Sequence, residues 1–402
     1  AKVARTTLPG TYPLVALAKW AWRSDDPNYS VWVENVPEGL TEAGQWVLNT
    51  QEGRLYLWPR GEEPGDLIRA PLLREIIRVE GDEDAGRLVR NLSFRGLTLT
   101  HGERDTWTAD DAGLQHDWEM FDKDNALLRL RGVEDCGVEQ CRFTNSGGTG
   151  VRLDLHCQGV RVAGCEMSHL GGSGIVLCGY GPGTRDVNHH NEITDNNVHH
   201  CGEIYLHAAG IFVWQSGHNW IAHNSIHYMP YNGLVVSGVG PHFFAHPERR
   251  ECGRTIRFDE IGGPGEKPYE QIQPLLHARQ NLIEYNEIHH TMQSLWDGNG
   301  IYISGTGPQN VVRRNYLHDI TGRGSMAAIR MDDWQFDTLV EGNIIRRCVN
   351  VGIIVKGVNR VEGNVIADLA DTAADGGEAP VKGYIALRHT GKNHPTSLGA
   401  RL

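Results

Sequence analysis

The sequence repeats a short strand pattern, Gly-Ile-x-aliphatic or a close variant, along most of its length. The copies begin at Gly150, Gly174, Gly210, Gly233, Gly300, Ala328 and Gly352. A second element, mostly Asn-x-aliphatic, lies between them and begins at Cys141, Cys165, Asn196, Asn224, Asn286, Asn315, Asn343 and Asn364. Most intervals between copies of this second element are 21 to 31 residues, without amphipathic helical stretches between the strands. This period predicts an all-β solenoid, a right-handed parallel β-helix whose coils stack along one axis.

Stacking places equivalent residues of successive coils about 4.8 Å apart in columns. The aliphatic columns are expected to fill the interior, and the Asn column is expected to hydrogen-bond from turn to turn. Cys141 and Cys165 occupy the Asn column, where we expect free stacked thiols rather than a disulfide, because Cys is a good small core residue. The high glycine content, 49 of 402 residues, fits a chain that turns at every coil.

The pattern divides the chain into a cap, a solenoid and a tail. Residues 1–85 lack the repeat, and 45–60 read as an antiparallel hairpin, so this part is predicted to be a small β domain or cap. Residues 86–370 are predicted to form the β-helix, and 371–402 a C-terminal tail. Residues 238–275 carry no periodicity and are expected to form an insertion loop that projects from one coil and walls a site.

Charge and composition narrow the function classes. With 38 basic and 50 acidic residues, the net charge of −12 argues against nucleic acid as a partner. No run approaches 18 apolar residues, so no membrane-spanning segment is expected. The eight Cys residues lack the paired spacing of a zinc site and are too few for a disulfide scaffold. The chain begins at Ala1 without a charged start followed by an apolar core, so a signal peptide is either absent or already removed, and export stays undecided.

Three carboxylates occupy neighbouring coils around one strand. Asp297 lies just before the strand that begins at Gly300, and Asp332 and Asp333 follow the equivalent strand of the next coil. We expect a separation of about 5 to 10 Å, the range that glycoside hydrolysis requires of its acid and its base or nucleophile. Arg330 could orient a carboxylate or bind substrate oxygen atoms. The alternative is that these acids cap a bend or bind Ca²⁺; no other cofactor or metal is expected.

Further outward-facing residues of the same strip are candidates for carbohydrate binding. Aromatic rings there could stack on sugar faces, and charged or imidazole groups could bind hydroxyls, although each could equally serve packing. The candidates are Trp214, Trp296, Tyr302, Trp334, His207, Glu203, Asp154 and Lys356.

Two further patterns carry weaker functional signals. The residues His199, His227, His289 and His318 share one column, each following the Asn-x-aliphatic element. This arrangement favours a ladder of stacked rings over a metal cluster. The glycine-rich segment 178–186 follows a strand and opens no helix, which favours a substrate-facing loop over a phosphate site.

Several stretches resemble a known family of bacterial β-helix enzymes, glycoside hydrolase family 141, which is associated with α-L-fucosidase and xylanase activity. The stretches are Trp214-Gln215-Ser216, Ile221 to His227, Pro230 to Leu234, Asp297 to Tyr302 and Ile329 to Asp333. The resemblance implies that Asp297 and either Asp332 or Asp333 are the catalytic pair. It also implies a secreted or periplasmic location, because such enzymes meet polysaccharide outside the cytoplasm.

The leading hypothesis is a glycoside hydrolase that cleaves a glycan in a groove along residues 154–356. A polysaccharide lyase on the same fold, with Arg330 or Lys356 near the abstracted proton and bound Ca²⁺, is the second. The third is a solenoid that binds glycans without turnover.

Overall fold

The computed structural model describes residues 35–61, 65, 68–106, 119–248, 252–322, 325–369 and 383–388. These residues fall into two compact units that divide between residues 71 and 72. In the smaller unit, Trp46–Asn49 pairs antiparallel with Arg54–Leu57, with Trp46 opposite Leu57, after a short 3-10 helix at Pro37–Gly39. The predicted N-terminal hairpin is therefore confirmed.

The larger unit is built from three parallel sheets, each of which receives one strand from every complete coil. Sheet 1 contains, in the described residues, Ile77–Glu80, Ala126–Glu134, Thr149–Gln158, Ile175–Cys178, Ile211–Trp214, Leu234–Ser237, Gly298–Ser304, Ser325–Met331, Val351–Val355 and Gly383–Leu387, with Val89–Arg90 and Asn188–His189 at its side.

Sheets 2 and 3 supply the other two walls of each coil. Sheet 2 contains Ser93–Arg95, Gly137–Glu139, Arg161–Ala163, Glu192–Thr194, Trp220–Ala222, Leu282–Glu284, Val311–Arg313, Leu339–Glu341 and Arg360–Glu362. Sheet 3 contains Thr98–Thr100, Arg142–Ser146, Glu166–Leu170, Asn197–Cys201, Ser225–His227, Glu287–His289, Tyr316–His318, Ile344–Arg346 and Val365–Ala367. The predicted all-β parallel β-helix is confirmed.

Apolar residues from all three sheets meet inside the coils. In one coil, Ile175, Ile193 and Val198 come from sheets 1, 2 and 3 respectively, and all three are fully buried. Stacked coils repeat this arrangement as one continuous core. Each Å² of apolar surface that is buried stabilises the solenoid by about 25 cal/mol. A single coil cannot cover its own interior, so this stabilisation depends on the neighbouring coils.

The turn between sheets 2 and 3 carries the predicted asparagine ladder. The side-chain amide of Asn286 donates to Asn315 Oδ1 at 2.9 Å, and Asn315 donates in the same way to Asn343 at 2.9 Å. At the start of the column, the backbone N–H of Cys141 lies 3.4 Å from the Cys165 sulfur. Both cysteines are buried and free, as expected from the sequence.

The repeated glycines lie where neighbouring coils approach each other closely. A Cβ atom on Gly150 would lie 2.6 Å from the carbonyl oxygen of Gly174 in the next coil, and one on Gly233 would lie 2.8 Å from that of Gly300. Contacts this short do not occur for real Cβ atoms. Close packing of backbones, rather than a positive φ, therefore explains the glycine that enters each of these strands.

The insertion lies against the outer face of sheet 1. It folds into short helices at Pro241–Ala245, Cys252–Thr255, Phe258–Ile261, Tyr269–Ile272 and Gln273–Leu275. Its Phe244 and Ile272 pack in one buried cluster with Phe212, Trp214 and Val235 of sheet 1. The segment predicted to project from one coil thus covers several coils.

The solenoid extends beyond the predicted range at both ends. Ile77–Glu80 already pairs with Ala126–Glu134, inside the range predicted for the cap. Gly383–Leu387 pairs with Val351–Val355, inside the range predicted for the tail; the rest of 371–402 lies outside the described residues. Within the described ranges, the helices are too short and too polar to span a bilayer.

Candidate active site

Neighbouring strands of sheet 1 bring three candidate residues together. Gly298–Ser304 pairs with Ser325–Met331, and Tyr302 lies opposite Arg330. Side chains alternate between the two faces of a strand, so these two point outward while their neighbours Ile301 and Ile303 fill the core. Asp297 precedes the first strand in a left-handed backbone conformation (φ 60°), which Asp tolerates better than most residues.

Arg330 connects the two carboxylates that the sequence paired. Its Nη1 lies 2.7 Å from Asp297 Oδ1, and its Nη2 lies 2.6 Å from Asp332 Oδ2. Because both oxygens contact one planar guanidinium group, they lie within roughly 8 Å of each other. The expected proximity of carboxylates from adjacent coils is present, and a cation lies between them.

Asp332 is the buried member of the pair. Its carboxylate also forms an ion pair with Lys356 and accepts a hydrogen bond from the Tyr302 hydroxyl at 3.2 Å. Burial alone would raise the pKa of Asp332, but the charges of Arg330 and Lys356 outweigh it and hold this pKa below its usual value. Asp332 is therefore ionised at neutral pH.

Asp297 and Asp333 are open to solvent. The side chain of Asp297 is 48% exposed and that of Asp333 is 50% exposed. Lys356 Nζ lies 2.8 Å from Asp333 Oδ1, so this lysine contacts both adjacent aspartates. A buried, ionised carboxylate thus lies among two accessible carboxylates and two cations. We call Asp297, Arg330, Asp332, Asp333 and Lys356 the carboxylate cluster.

Three aromatic residues, Tyr302, Trp296 and Trp334, contact the carboxylate cluster or adjoin it in the chain. The Arg330 guanidinium lies 5.8 Å from the centre of the Tyr302 ring. Burial and the charge of Asp332 raise the pKa of Tyr302 well above its usual value, so its hydroxyl stays protonated. Trp296 and Trp334 are partly exposed. A Cβ on Gly240 would lie 3.1 Å from the Trp334 ring, which places the insertion beside this tryptophan.

The backbone at Asp297 is held by Tyr231, which was not among the site residues predicted from the sequence. The hydroxyl of Tyr231 donates to the backbone carbonyl of Asp297 at 2.9 Å. His207 packs edge-on against the Tyr231 ring at 4.9 Å, which brings this candidate next to the cluster. Glu203, its predicted companion, is hydrogen-bonded to His169 at 2.8 Å.

Two candidates lie in covered parts of sheet 1. Trp214 is fully buried beneath the insertion. Asp154 is also fully buried, between Arg129 and Arg152. The groove predicted along 154–356 is consequently not continuous, because the insertion and other segments cover its first part.

Arg388 is a charged residue near the carboxylate cluster that was not predicted from the sequence. Val355 pairs with Leu387, so Arg388 follows Lys356 in the outward column, one coil later. Burial and the nearby charge of Arg330 lower the pKa of Arg388. The only available signal was the stretch Gly383-Tyr384-Ile385, a degenerate copy of the strand motif after a gap in the repeat.

Comparisons with known proteins agree with the observed fold. Residues 122–244 match a model described as a right-handed β-helix region. The fold is a right-handed parallel β-helix. No curated protein sequence matches the chain.

Solved structures are similar to the chain at low sequence identity. One, titled simply glycoside hydrolase, has a TM-score of 0.64 and 21% identity over 82% of this chain. The chain spans 57% of the length of that protein. A second, a DFA-IIIase from Arthrobacter chlorophenolicus A6, has a TM-score of 0.49 and 12% identity. The alignment covers 83% of this chain and 72% of the DFA-IIIase chain. At 21% identity the likeness to the first structure is one of fold alone, and membership of glycoside hydrolase family 141 is not confirmed.

Proposed function

We propose that the protein is a glycan-acting enzyme that hydrolyses a glycosidic bond at the carboxylate cluster. The observation that carries this proposal is the grouping of Asp297, Asp332 and Asp333 from adjacent coils around Arg330 and Lys356. Paired carboxylates at this spacing are what glycosidase chemistry needs. The structural likeness to a protein titled glycoside hydrolase is consistent with it.

The surroundings of the carboxylates suggest their roles. Arg330 and Lys356 hold Asp332 in its ionised form, which suits a nucleophile or general base and is unsuitable for an acid. Asp297 is the accessible partner and is proposed as the general acid that protonates the leaving oxygen. Asp333, equally accessible, is the other candidate for the acid, so the two are tested separately.

The partly exposed rings beside the cluster are proposed to bind the sugar. Trp334 and Trp296 are partly exposed and can present their faces to CH groups of a pyranose ring. With sheet 1 covered over its first coils, we propose that the substrate binds at the coils around residues 297–388 rather than along the whole solenoid. Action on polysaccharide outside the cytoplasm remains part of the proposal.

The test compares Asp297→Asn, Asp332→Asn and Asp333→Asn on a panel of polysaccharides and oligosaccharides. Release of reducing ends should fall by about 10²- to 10⁴-fold in the first two variants, the effect expected for a lost acid or base. Asp195→Asn is the matched control, because Asp195 is an exposed aspartate in the same left-handed conformation (φ 57°) on another turn. Folded Asp297→Asn and Asp332→Asn variants that both keep full activity would overturn the proposal.

A polysaccharide lyase on this fold would use Arg330 or Lys356 to abstract a proton from the sugar. It needs a base that is free to take the proton, whereas the Lys356 amino group is engaged by two carboxylates, Asp332 and Asp333. Products that absorb in the ultraviolet, lost on chelation, would establish a lyase instead of a hydrolase. Glycan binding without turnover on any substrate would establish a non-catalytic solenoid.

A further inference from the structure

The outward face of sheet 3 carries a column of stacked imidazole rings. His199 stacks on His227 at 4.9 Å, His227 on His289 at 4.7 Å, and His289 on His318 at 4.8 Å. The ladder expected from the sequence is confirmed by these contacts. At its C-terminal end, however, a carboxylate joins the last two rings. Glu287 lies 3.1 Å from His318, closer than the 3.8 Å between Glu166 and His199 at the other end.

We propose that Glu287, His289 and His318 form a binding site for a divalent first-row transition metal such as Zn²⁺. One possible ligand atom from each residue lies within 4.8 Å of the other two. Glu287 and His289 belong to one strand of sheet 3 and His318 to the next, with His289 opposite His318. The bound ion would therefore join two coils.

The surroundings of His318 point to a cation. Its Nδ1 lies 2.7 Å from Asp319 Oδ2, and Asp319 is held by two hydrogen bonds from Arg347, each 2.6 Å long. A carboxylate that accepts the Nδ1 proton fixes the tautomer of a metal-binding histidine in this way. With the proton there, the lone pair of Nε2 faces Glu287 Oε1 at 3.1 Å. A metal ion bound by both groups would lie beside this contact.

The contacts of His289 leave one nitrogen available. Its Nδ1 lies 2.7 Å from His290 Nδ1, which leaves Nε2 as the ligand atom. The next ring in the column, His227, uses its own Nε2 to contact Asn197 Oδ1 at 3.0 Å, so the proposed set ends at His289.

The donor set selects the class of metal. Two imidazoles and one carboxylate suit Zn²⁺, Co²⁺, Ni²⁺ or Cu²⁺, whereas Ca²⁺ and Mg²⁺ prefer oxygen ligands only. Glu287 is exposed, so an ion can reach the site and keep water as a further ligand. The site lies on sheet 3, and the carboxylate cluster lies on sheet 1. Its test is thus independent of the proposed activity.

The experiment uses the full chain, stripped with EDTA and dialysed at pH 7.5. Titration with ZnCl₂ in a calorimeter should give one tight site per chain, and added Zn²⁺ should raise the melting temperature because it binds only the folded state. Addition of Co²⁺ should produce visible absorption bands from the nitrogen and oxygen ligands. Glu287→Gln and His318→Asn should each weaken Zn²⁺ binding at least tenfold.

The matched control is His218→Asn. His218 also stacks on a histidine, His190, at 4.9 Å, but it lies outside the proposed set. This variant should bind Zn²⁺ like the unaltered protein. Absence of a site of micromolar affinity or tighter would overturn the proposal. Equal Zn²⁺ affinity in the unaltered protein, Glu287→Gln and His318→Asn would also overturn it.

Discussion

Two places on the outer face of sheet 1 carry the same Arg-x-Asp pattern in different surroundings. Arg152 and Asp154 occupy one coil, and Arg330 and Asp332 occupy a later one. Arg152 and Arg330 lie in one column of sheet 1, because the strand pairings align Arg152 in turn with Val176, Phe212, Val235, Tyr302 and Arg330.

The first pair is sealed inside the protein. The guanidinium of Arg152 contacts Asp154 at 3.1 Å, Glu119 at 2.9 Å and the backbone carbonyl of Phe121 at 2.7 Å, and it has no exposed surface. Segment 119–125 lies over it. Because the Arg152 side chain has no exposed surface, its ion pairs maintain the structure and no substrate can reach them.

The second pair opens to solvent. Arg330 contacts Asp297, which is half exposed, and Lys356 contacts the half-exposed Asp333. The same two residue types thus serve stability in one place and are available for chemistry in the other. What covers each pair makes the difference, and the following predictions test it.

The largest expected effect is on stability at the sealed pair. Arg152→Met should lower the free energy of unfolding by about 3–5 kcal/mol, because it removes the ion-pair partner of the buried Glu119 and leaves Asp154 paired with Arg129 alone. Urea titration followed by circular dichroism measures this. Arg142→Met, which removes an exposed ion pair to Glu166, should cost less than about 1 kcal/mol. Equal losses in the two variants would contradict the role assigned to burial.

At the open pair, the main effect should be on activity. Arg330→Met should reduce kcat/KM for the glycan by about 10²-fold or more, since Arg330 holds both carboxylates of the proposed pair. Its unfolding free energy should fall by less than that of Arg152→Met, because Asp297 can be hydrated and Lys356 still pairs with Asp332. Arg313→Met removes an ion pair of sheet 2 and should leave activity unchanged. A folded, fully active Arg330→Met enzyme would break the comparison.

The next prediction concerns pH at the open pair. Lys356→Met removes a charge that lowers the pKa of Asp332, so this pKa should rise and the acidic limb of the kcat/KM profile should move to higher pH.

The same shift changes stability at low pH. With its pKa lowered by folding, ionised Asp332 stabilises the native state above the unfolded-state pKa of about 3.9, and this contribution is lost as pH falls through the folded-state pKa. Lys356→Met should reduce that contribution. Arg360→Met, which removes an exposed ion pair to Glu362, is the control for both measurements. An acidic limb that stays in place would show that Asp332 is not the titrating group.

The smallest effect is expected at the edge of the open pair. Trp334→Ala should raise KM for the glycan by about 3- to 10-fold with little change in kcat, as expected for one lost aromatic contact. Trp220→Ala, on sheet 2, should leave KM unchanged. A fall in kcat with unchanged KM would move Trp334 from sugar binding to the reaction itself.

Much of the scaffold was predictable because it depends on nearest neighbours. The Asn-x-aliphatic repeat fixed which residues stack, and the hydrogen bonds from Asn286 to Asn315 and onward follow from it. The same periodicity placed His289 over His318 and Asp297 near Asp332. Each of these contacts joins adjacent coils, so the spacing of the repeat is sufficient to predict it.

Contacts made by segments outside the repeat could not be predicted from the sequence. The insertion has no periodicity, so nothing in its sequence indicated that Phe244 and Ile272 cover Trp214. Arg388 lies after a long stretch without the repeat, which concealed its place in the outward column. The ends of the solenoid were misplaced for the same reason, because the strands at Ile77 and Gly383 carry weak copies of the motif.

The sequence alone therefore determined the coil, its ladders and the residues that share each column, since these are properties of a repeat and of the side chain at each step. Only the tertiary structure decided which Arg-x-Asp pair is sealed and which is open. Burial depends on segments distant in the chain, 119–125 over Arg152 and the insertion over Trp214, and no spacing within the repeat encodes where those segments lie.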